Sequence, residues 1–276
     1  MDLGRYNTLK IDRFTGVGAF LEDSDGEQVL LPQKWVPQDA KVGDKIEVFV
    51  YLDGEEREIA TTMKPKAEVR DFAYLQVKQT TKIGAFLDWG LEKDVLVPFD
   101  EQKNRMQAGH SYVVYLYIDD VTGRITASTK LAKFADNKSC ELEPGDEVDL
   151  LVASHTQMGY NVIINNRYIG LIYENEVFKN IKNGDQIKGY IKMIRDDYKI
   201  DVSLEKAGYG KVDDHTEIIL RKLEENEGFL DLNDKSDPSE IALRLQMSKK
   251  TYKKAIGNLY KARKIKIEDN GISLIK

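Results

Sequence analysis

The sequence predicts a mainly β chain in which three small five-stranded barrels in tandem are followed by an α/β winged-helix domain. Three observations predict it. Four blocks of residues recur in one order three times, and each block alternates apolar and polar residues over the length of a short strand. After Gly210 the apolar period changes from that of a strand to that of a helix.

The first block, Thr15-Gly-Val-Gly-Ala-Phe-Leu21, returns as Thr81-Lys-Ile-Gly-Ala-Phe-Leu87 and, in degenerate form, as Gln157-Met-Gly-Tyr-Asn-Val162. The second is Val29-Leu-Leu-Pro32, then Val95-Leu-Val-Pro98 and Gly170-Leu-Ile-Tyr173. The third starts at Gly43, Gly109 and Gly184; the fourth starts at Arg57, Arg124 and Lys199. Phe20 and Phe86 stand 66 residues apart and Arg57 and Arg124 stand 67 apart, a period that holds five short strands and their turns. The glycine inside the Gly-Ala-Phe block marks a sharp bend at a barrel corner. Residues 131–140 read as a connector with one or two helical turns.

In the tail, Asp214-His-Thr-Glu217 has capping-box form and predicts a helix over 215–226, with a short strand at Phe229-Leu-Asp-Leu232. Ser236-Asp-Pro-Ser opens a second helix with a capping residue and an early proline, and Ser248 caps a third that runs to about Ala262. The end carries Asn270-Gly271 between alternating runs, a hairpin signal. The domains predicted are thus 1–65, 66–133, 144–208 and 211–276.

Composition narrows the function classes. The chain has 276 residues, 41% hydrophobic and 32% charged, as expected of a soluble globular protein. No apolar run approaches a membrane span and the first residues lack a signal-peptide pattern, so a cytoplasmic location is the expectation and no membrane partner is expected. Cys140 stands alone, and His110, His155 and His215 are far apart in sequence, so neither disulfide, metal nor cofactor is expected. Asp119-Asp120 and Asp196-Asp197 sit at turns with no base or nucleophile beside them, and no phosphate-binding loop is present; neither catalysis nor a small-molecule substrate is expected. Net charge is −6, split as −5, +1, −4 and +2 over 1–65, 66–133, 134–210 and 211–276. Nucleic acid would therefore be held by local cations and stacking rather than by bulk attraction.

The repeats resemble the S1 RNA-binding domain, an OB-fold barrel, and three of them before a winged helix resemble the conserved virulence factor B family of bacteria. The resemblance spans essentially the whole chain. It implies a cytoplasmic RNA-binding protein that affects expression of other genes and has no enzyme activity. The S1 pattern of a Phe-Gly-x-Phe pair, a His, and an Asp-x-x-x-Arg pair implies RNA contact at Phe20 and Phe86, and at Arg57 and Arg124 beside Asp53 and Asp120. In the third repeat Lys199 takes the arginine position. Val17, Ile83 and Met158 replace the first Phe, and Pro32, Pro98 and Tyr173 replace the His.

Single-stranded bases stack on aromatic rings while Arg and Lys neutralise phosphate. On that chemistry the third repeat adds Tyr160, Tyr173, Lys192 and Arg195 as candidates. A slip of one residue in register would turn Phe20 and Phe86 into the core. Residues 249–264 hold seven basic residues, including Lys249, Lys250, Lys253 and Lys254, and no acidic one, on the helix that winged-helix proteins set against nucleic acid. Ile256, Leu259 and Tyr260 are assigned to the core. The expectation is a non-catalytic post-transcriptional regulator whose partner is single-stranded RNA, with binding concentrated in 144–276. The ribosome and RNA-processing machinery are further candidate partners, and two other readings stay open: an adaptor docking on a ribosome, polymerase or nuclease, and a DNA-binding transcription factor using the winged helix.

Overall fold

Each repeat closes into a five-stranded barrel in the computed structural model, which describes residues 1–177, 179–205 and 212–275. The first barrel is β1 (Tyr6–Thr15), β2 (Gly18–Glu22), β3 (Gln28–Pro32), β4 (Lys45–Leu52) and β5 (Glu58–Thr61). The second is β6 (Phe72–Thr80), β7 (Gly84–Asp88), β8 (Val95–Pro98), β9 (Ser111–Ile118) and β10 (Ile125–Ser128). The third is β11 (Glu147–Thr156), β12 (Gly159–Ile164), β13 (Tyr168–Tyr173), β14 (Gln186–Ile194) and β15 (Ile200–Ser203). All three share one topology, in which the third strand pairs with the fifth in parallel and the other neighbours are antiparallel.

The recurring glycine has a specific cause. Gly18, Gly84 and Gly159 open the second strands with φ of +148°, +156° and +135°, and a Cβ there would stand 2.1, 2.2 and 2.0 Å from the carbonyl oxygens of Leu31, Val97 and Ile172. Only glycine lets the two strands approach this closely. The register then sends Ala19 and Leu21, and Ala85 and Leu87, into the cores, leaving Phe20 and Phe86 half-buried on the outer face. The slipped register is therefore not the one adopted.

Residues Met1–Ala135 form one compact unit and Asp136–Lys276 a second. Within the first unit the barrels share a core: Phe49 and Tyr51 of β4 join the cluster that holds Leu75, Leu87 and Val97 of the second barrel. Phe49 meets Trp89 edge to face at 5.7 Å. The third barrel has its own core around Leu150, Val162, Ile172 and Val202. Residues 131–140 hold two 3-10 turns, Leu131–Lys133 and Asn137–Ser139.

The winged helix comprises α1 (Val212–Glu225), β16 (Phe229–Leu230), α2 (Pro238–Leu245), α3 (Lys249–Lys261), β17 (Ile265–Glu268) and β18 (Gly271–Leu274). The side chain of Asp237 accepts from Ser239 N at 2.8 Å to cap α2, and Ser248 accepts from Thr251 N at 2.9 Å to cap α3. Buried Tyr252 donates to Leu232 O at 2.8 Å, and burial pushes its phenol well above the usual range. Three expectations are corrected. The first helix starts at Val212, so Asp214 lies within it rather than ahead of it. Glu268 pairs with Gly271, so the hairpin turn is Asp269-Asn270, one residue earlier than expected. Tyr260 is 57% exposed rather than core, because the buried stripe of α3 is Tyr252, Ala255, Ile256 and Leu259. The boundaries set at 208 and 211 fall among residues 206–211, outside the described ones. No helix among the described residues is long and apolar enough to cross a membrane.

Candidate nucleic-acid interface

OB-type barrels bind oligonucleotides on the face of strands 2 and 3 and on the loops joining strands 1 to 2 and 4 to 5. The three barrels here build those features alike. Val17, Ile83 and Met158 sit at the tips of the first loops, 61%, 59% and 61% exposed, where apolar side chains have no core to fill. Pro32, Pro98 and Tyr173 pair with Gly18, Gly84 and Gly159. The loop between strands 4 and 5 closes by backbone bonds from Asp53 to Arg57, Asp119 to Arg124 and Arg195 to Lys199, each 2.9 Å.

These bonds correct one predicted pair. Asp53 accepts from Arg57 Nε and Nη2 at 3.0 and 2.7 Å, as expected. In the second barrel the residue equivalent to Asp53 is Asp119, not Asp120, because the loop is one residue longer. Arg124 instead pairs with Glu56 of the first barrel at 2.7 Å. Phe20 is covered too: Arg13, unremarked in the sequence, lies over its ring at 4.2 Å and donates to Asp12 and Gln28. Phe86 lines a cleft of about 210 Å³ with Ile83, Trp89 and Leu96.

The third barrel brings Tyr173, Lys192 and Arg195 together. Arg195 donates to the buried carboxylate of Asp201 from Nε at 3.0 Å and Nη2 at 2.8 Å, and Nη2 also donates to the Tyr173 hydroxyl. The Lys192 ammonium lies 5.9 Å from the Tyr173 ring centroid and is paired with Glu176. Tyr160 does not join them. It faces core residue Ile172 across the ladder, packs partly against the core and stacks on His155 at 4.4 Å, while His155 meets Glu174 at 2.7 Å. Lys199 is exposed and pairs locally with Asp197 at 2.6 Å.

On α3, Lys253 reaches Asp234 at 3.7 Å and Lys249 donates to Lys235 O at 3.3 Å. Lys250, Lys254 and Lys261 are exposed with no ion pair among the described residues, and helical spacing puts them on one face around Gly257. A Cβ at Gly257 would meet nothing within 4 Å, so no packing within the chain requires the glycine. The face is open to close approach.

Comparison with known proteins agrees with this architecture. The S1 domain family matches residues 3–63 and 71–130, and the CvfB-like winged helix domain family matches 217–274. YitL of Bacillus subtilis is 27% identical over 282 residues, covering 97% of this chain and 92% of that protein. Conserved virulence factor B of Staphylococcus haemolyticus is 27% identical over 288 residues, covering 99% of this chain and 95% of that protein. Over nearly its whole length the chain is similar to proteins named conserved virulence factor B. A crystal structure of a multidomain protein with nucleic acid binding domains from Streptococcus pneumoniae aligns with 25% identity and a TM-score of 0.44 over 99% of this chain and 98% of that one.

The S1 and winged-helix families matched here are nucleic-acid-binding domains and not enzyme families. Several residues at their surfaces escaped the sequence reading. Met193 and Tyr198 are both 51% exposed on β14 and in the adjoining turn of the third barrel, and Tyr198 holds φ of 62° there. An aromatic in an Asp-Asp-Tyr turn was the available signal for Tyr198. Tyr260 could have been found by laying out α3 on a helical wheel. Asp201, Glu56 and Arg13 carry no sequence signal, because their partners are defined only by strand pairing or by another barrel.

Proposed function

We propose that this protein is a member of the conserved virulence factor B family and a non-catalytic binder of single-stranded RNA that regulates gene expression after transcription, in the cytoplasm. The observation that carries the reading is the α3 face, where Lys250, Lys254 and Lys261 surround Gly257 with no acidic partner among the described residues, beside exposed Tyr260. Tyr173, Lys192 and Arg195 in the third barrel supply a stacking ring with two cations within reach of a backbone. Phe20, Arg57, Phe86 and Arg124 are engaged within the first unit, which assigns them a lesser part. The ribosome or RNA-processing machinery would be met through bound RNA.

A salt titration of RNA binding tests this. About four phosphate contacts predict a log-log slope near −3, at roughly −0.7 per contact on a single strand. Changing Lys250, Lys253 and Lys254 together to Ala flattens the slope by about 2. Because α3 occupies the recognition-helix position, duplex DNA is the rival ligand. Equal or tighter binding of duplex DNA at the same salt overturns the RNA reading.

A further inference from the structure

The sheet of the winged helix ends on a strand whose outer edge no other strand of the described residues covers. Strand order is β16-β18-β17, so β17 lies outermost. Its pairing with β18 closes at Glu268 and Gly271 around a two-residue turn, and at the far end Ile275 N donates to Lys264 O at 3.0 Å. Hydrogen-bonded pairs alternate along an antiparallel ladder, so Lys264, Lys266 and Glu268 bond to β18. The N–H and C=O of Ile267 therefore point away from β18, and among the described residues no hydrogen bond reaches them.

The side chains at this edge are left open in the same way. Leu230, Ile272 and Ile267 stand in one row across the sheet; the first two are buried and Ile267 is 37% exposed. On the opposite face Lys266 and Glu268 are both exposed and make no ion pair among the described residues, and Glu268 accepts from Ser273 Oγ at 2.7 Å. A lysine on an edge strand ordinarily keeps foreign strands away. Here the residue two places on carries the opposite charge, which makes the edge complementary to itself.

We propose that β17 is a self-association surface, at which two copies of the chain pair antiparallel about a two-fold axis through Ile267. The two Ile267 residues exchange backbone hydrogen bonds at the centre, and their side chains meet and extend the apolar row from one sheet to the other. Lys266 of each copy stands opposite Glu268 of the other, so the pair forms twice. Other registers lose this match. Centring the pairing on Lys266 sets two lysines opposite each other, and a slip of one residue sets Ile267 against Lys266.

Sedimentation equilibrium of the full chain without nucleic acid, from micromolar to millimolar concentration, tests the proposal. Wild type forms a dimer reversibly as concentration rises. Lys266→Glu turns two opposite-charge pairs into two like-charge pairs and weakens the dimer about tenfold, and Glu268→Lys does the same. The double variant Lys266→Glu, Glu268→Lys restores the dimer to within about twofold of wild type. Mixing the two single variants restores association as well, because each supplies the charge that the other lacks. A wild-type chain that stays monomeric throughout overturns the proposal. So does a dimer that either single variant leaves unchanged, or one that the mixture fails to restore.

Discussion

The second and third barrels share strand order, the bend glycine and the exposed loop tip, yet their outer faces are put to different use. Where Leu96 pairs with Thr126 in the second barrel, Leu171 pairs with Asp201 in the third, and the first barrel has Ile59 at that place. A buried carboxylate is costly unless paired, and Asp201 is paired by Nε and Nη2 of Arg195. That bond holds Arg195 against the Tyr173 hydroxyl, so cation and ring are fixed before a ligand arrives. The second barrel lacks both the acid and the tyrosine and has Asp119 at the place of Arg195. Its Arg124, at the place of Lys199, pairs with Glu56 of the first barrel, whereas Lys199 pairs with Asp197 in its own loop.

The comparison can be broken first at what the barrels share. Gly84→Ala and Gly159→Ala each place a Cβ within 2.2 Å of a carbonyl oxygen on the neighbouring strand, and each should cost on the order of 3 kcal/mol in urea unfolding. Unequal costs would mean that the two scaffolds differ after all. Next comes the ring. Tyr173→Ala should weaken RNA binding by about 1 to 3 kcal/mol while leaving the salt slope nearly intact, because stacking releases no counterions.

Asp201→Asn sharpens the contrast further. It leaves Arg195 with a weaker partner, and the third barrel should lose about 1 to 2 kcal/mol of stability, read by thermal unfolding. Thr126→Val in the second barrel should cost less. The smallest effect concerns acid. The hydrogen bond from Lys66 at 2.7 Å holds the Asp88 carboxyl below the usual carboxylate range. A depressed carboxyl contributes stability above the unfolded value near 4 and loses it as pH falls through the folded value. Wild type should therefore exceed Lys66→Ala by less than about 1 kcal/mol at neutral pH, and the two stability curves should converge below about pH 4.

Much of the fold was legible because it repeats. Gly18, Gly84 and Gly159 lie in equivalent blocks, and three copies of one pattern identify strands that a single copy would leave ambiguous. Ser248 was readable as a cap because its hydrogen bond is local. The site was only partly legible. Tyr173, Lys192 and Arg195 were named from the third repeat and do meet, but what organises them is Asp201, which sequence alone does not single out. Arg124 was assigned to Asp120, four residues away, and found its partner 68 residues away in another barrel, since pairing between barrels leaves no periodic trace. Tyr160 was grouped with Tyr173, and strand alternation puts them on opposite faces.

The proposed RNA contacts lie on the third barrel and α3. Photo-cross-linking of thiouridine-substituted single-stranded RNA to the full wild-type chain, with the linked peptides mapped, tests this most directly. The predicted result is linkage dominated by peptides that carry Tyr173, Tyr198 and Tyr260. Linkage confined to peptides from residues 1–135 would contradict it.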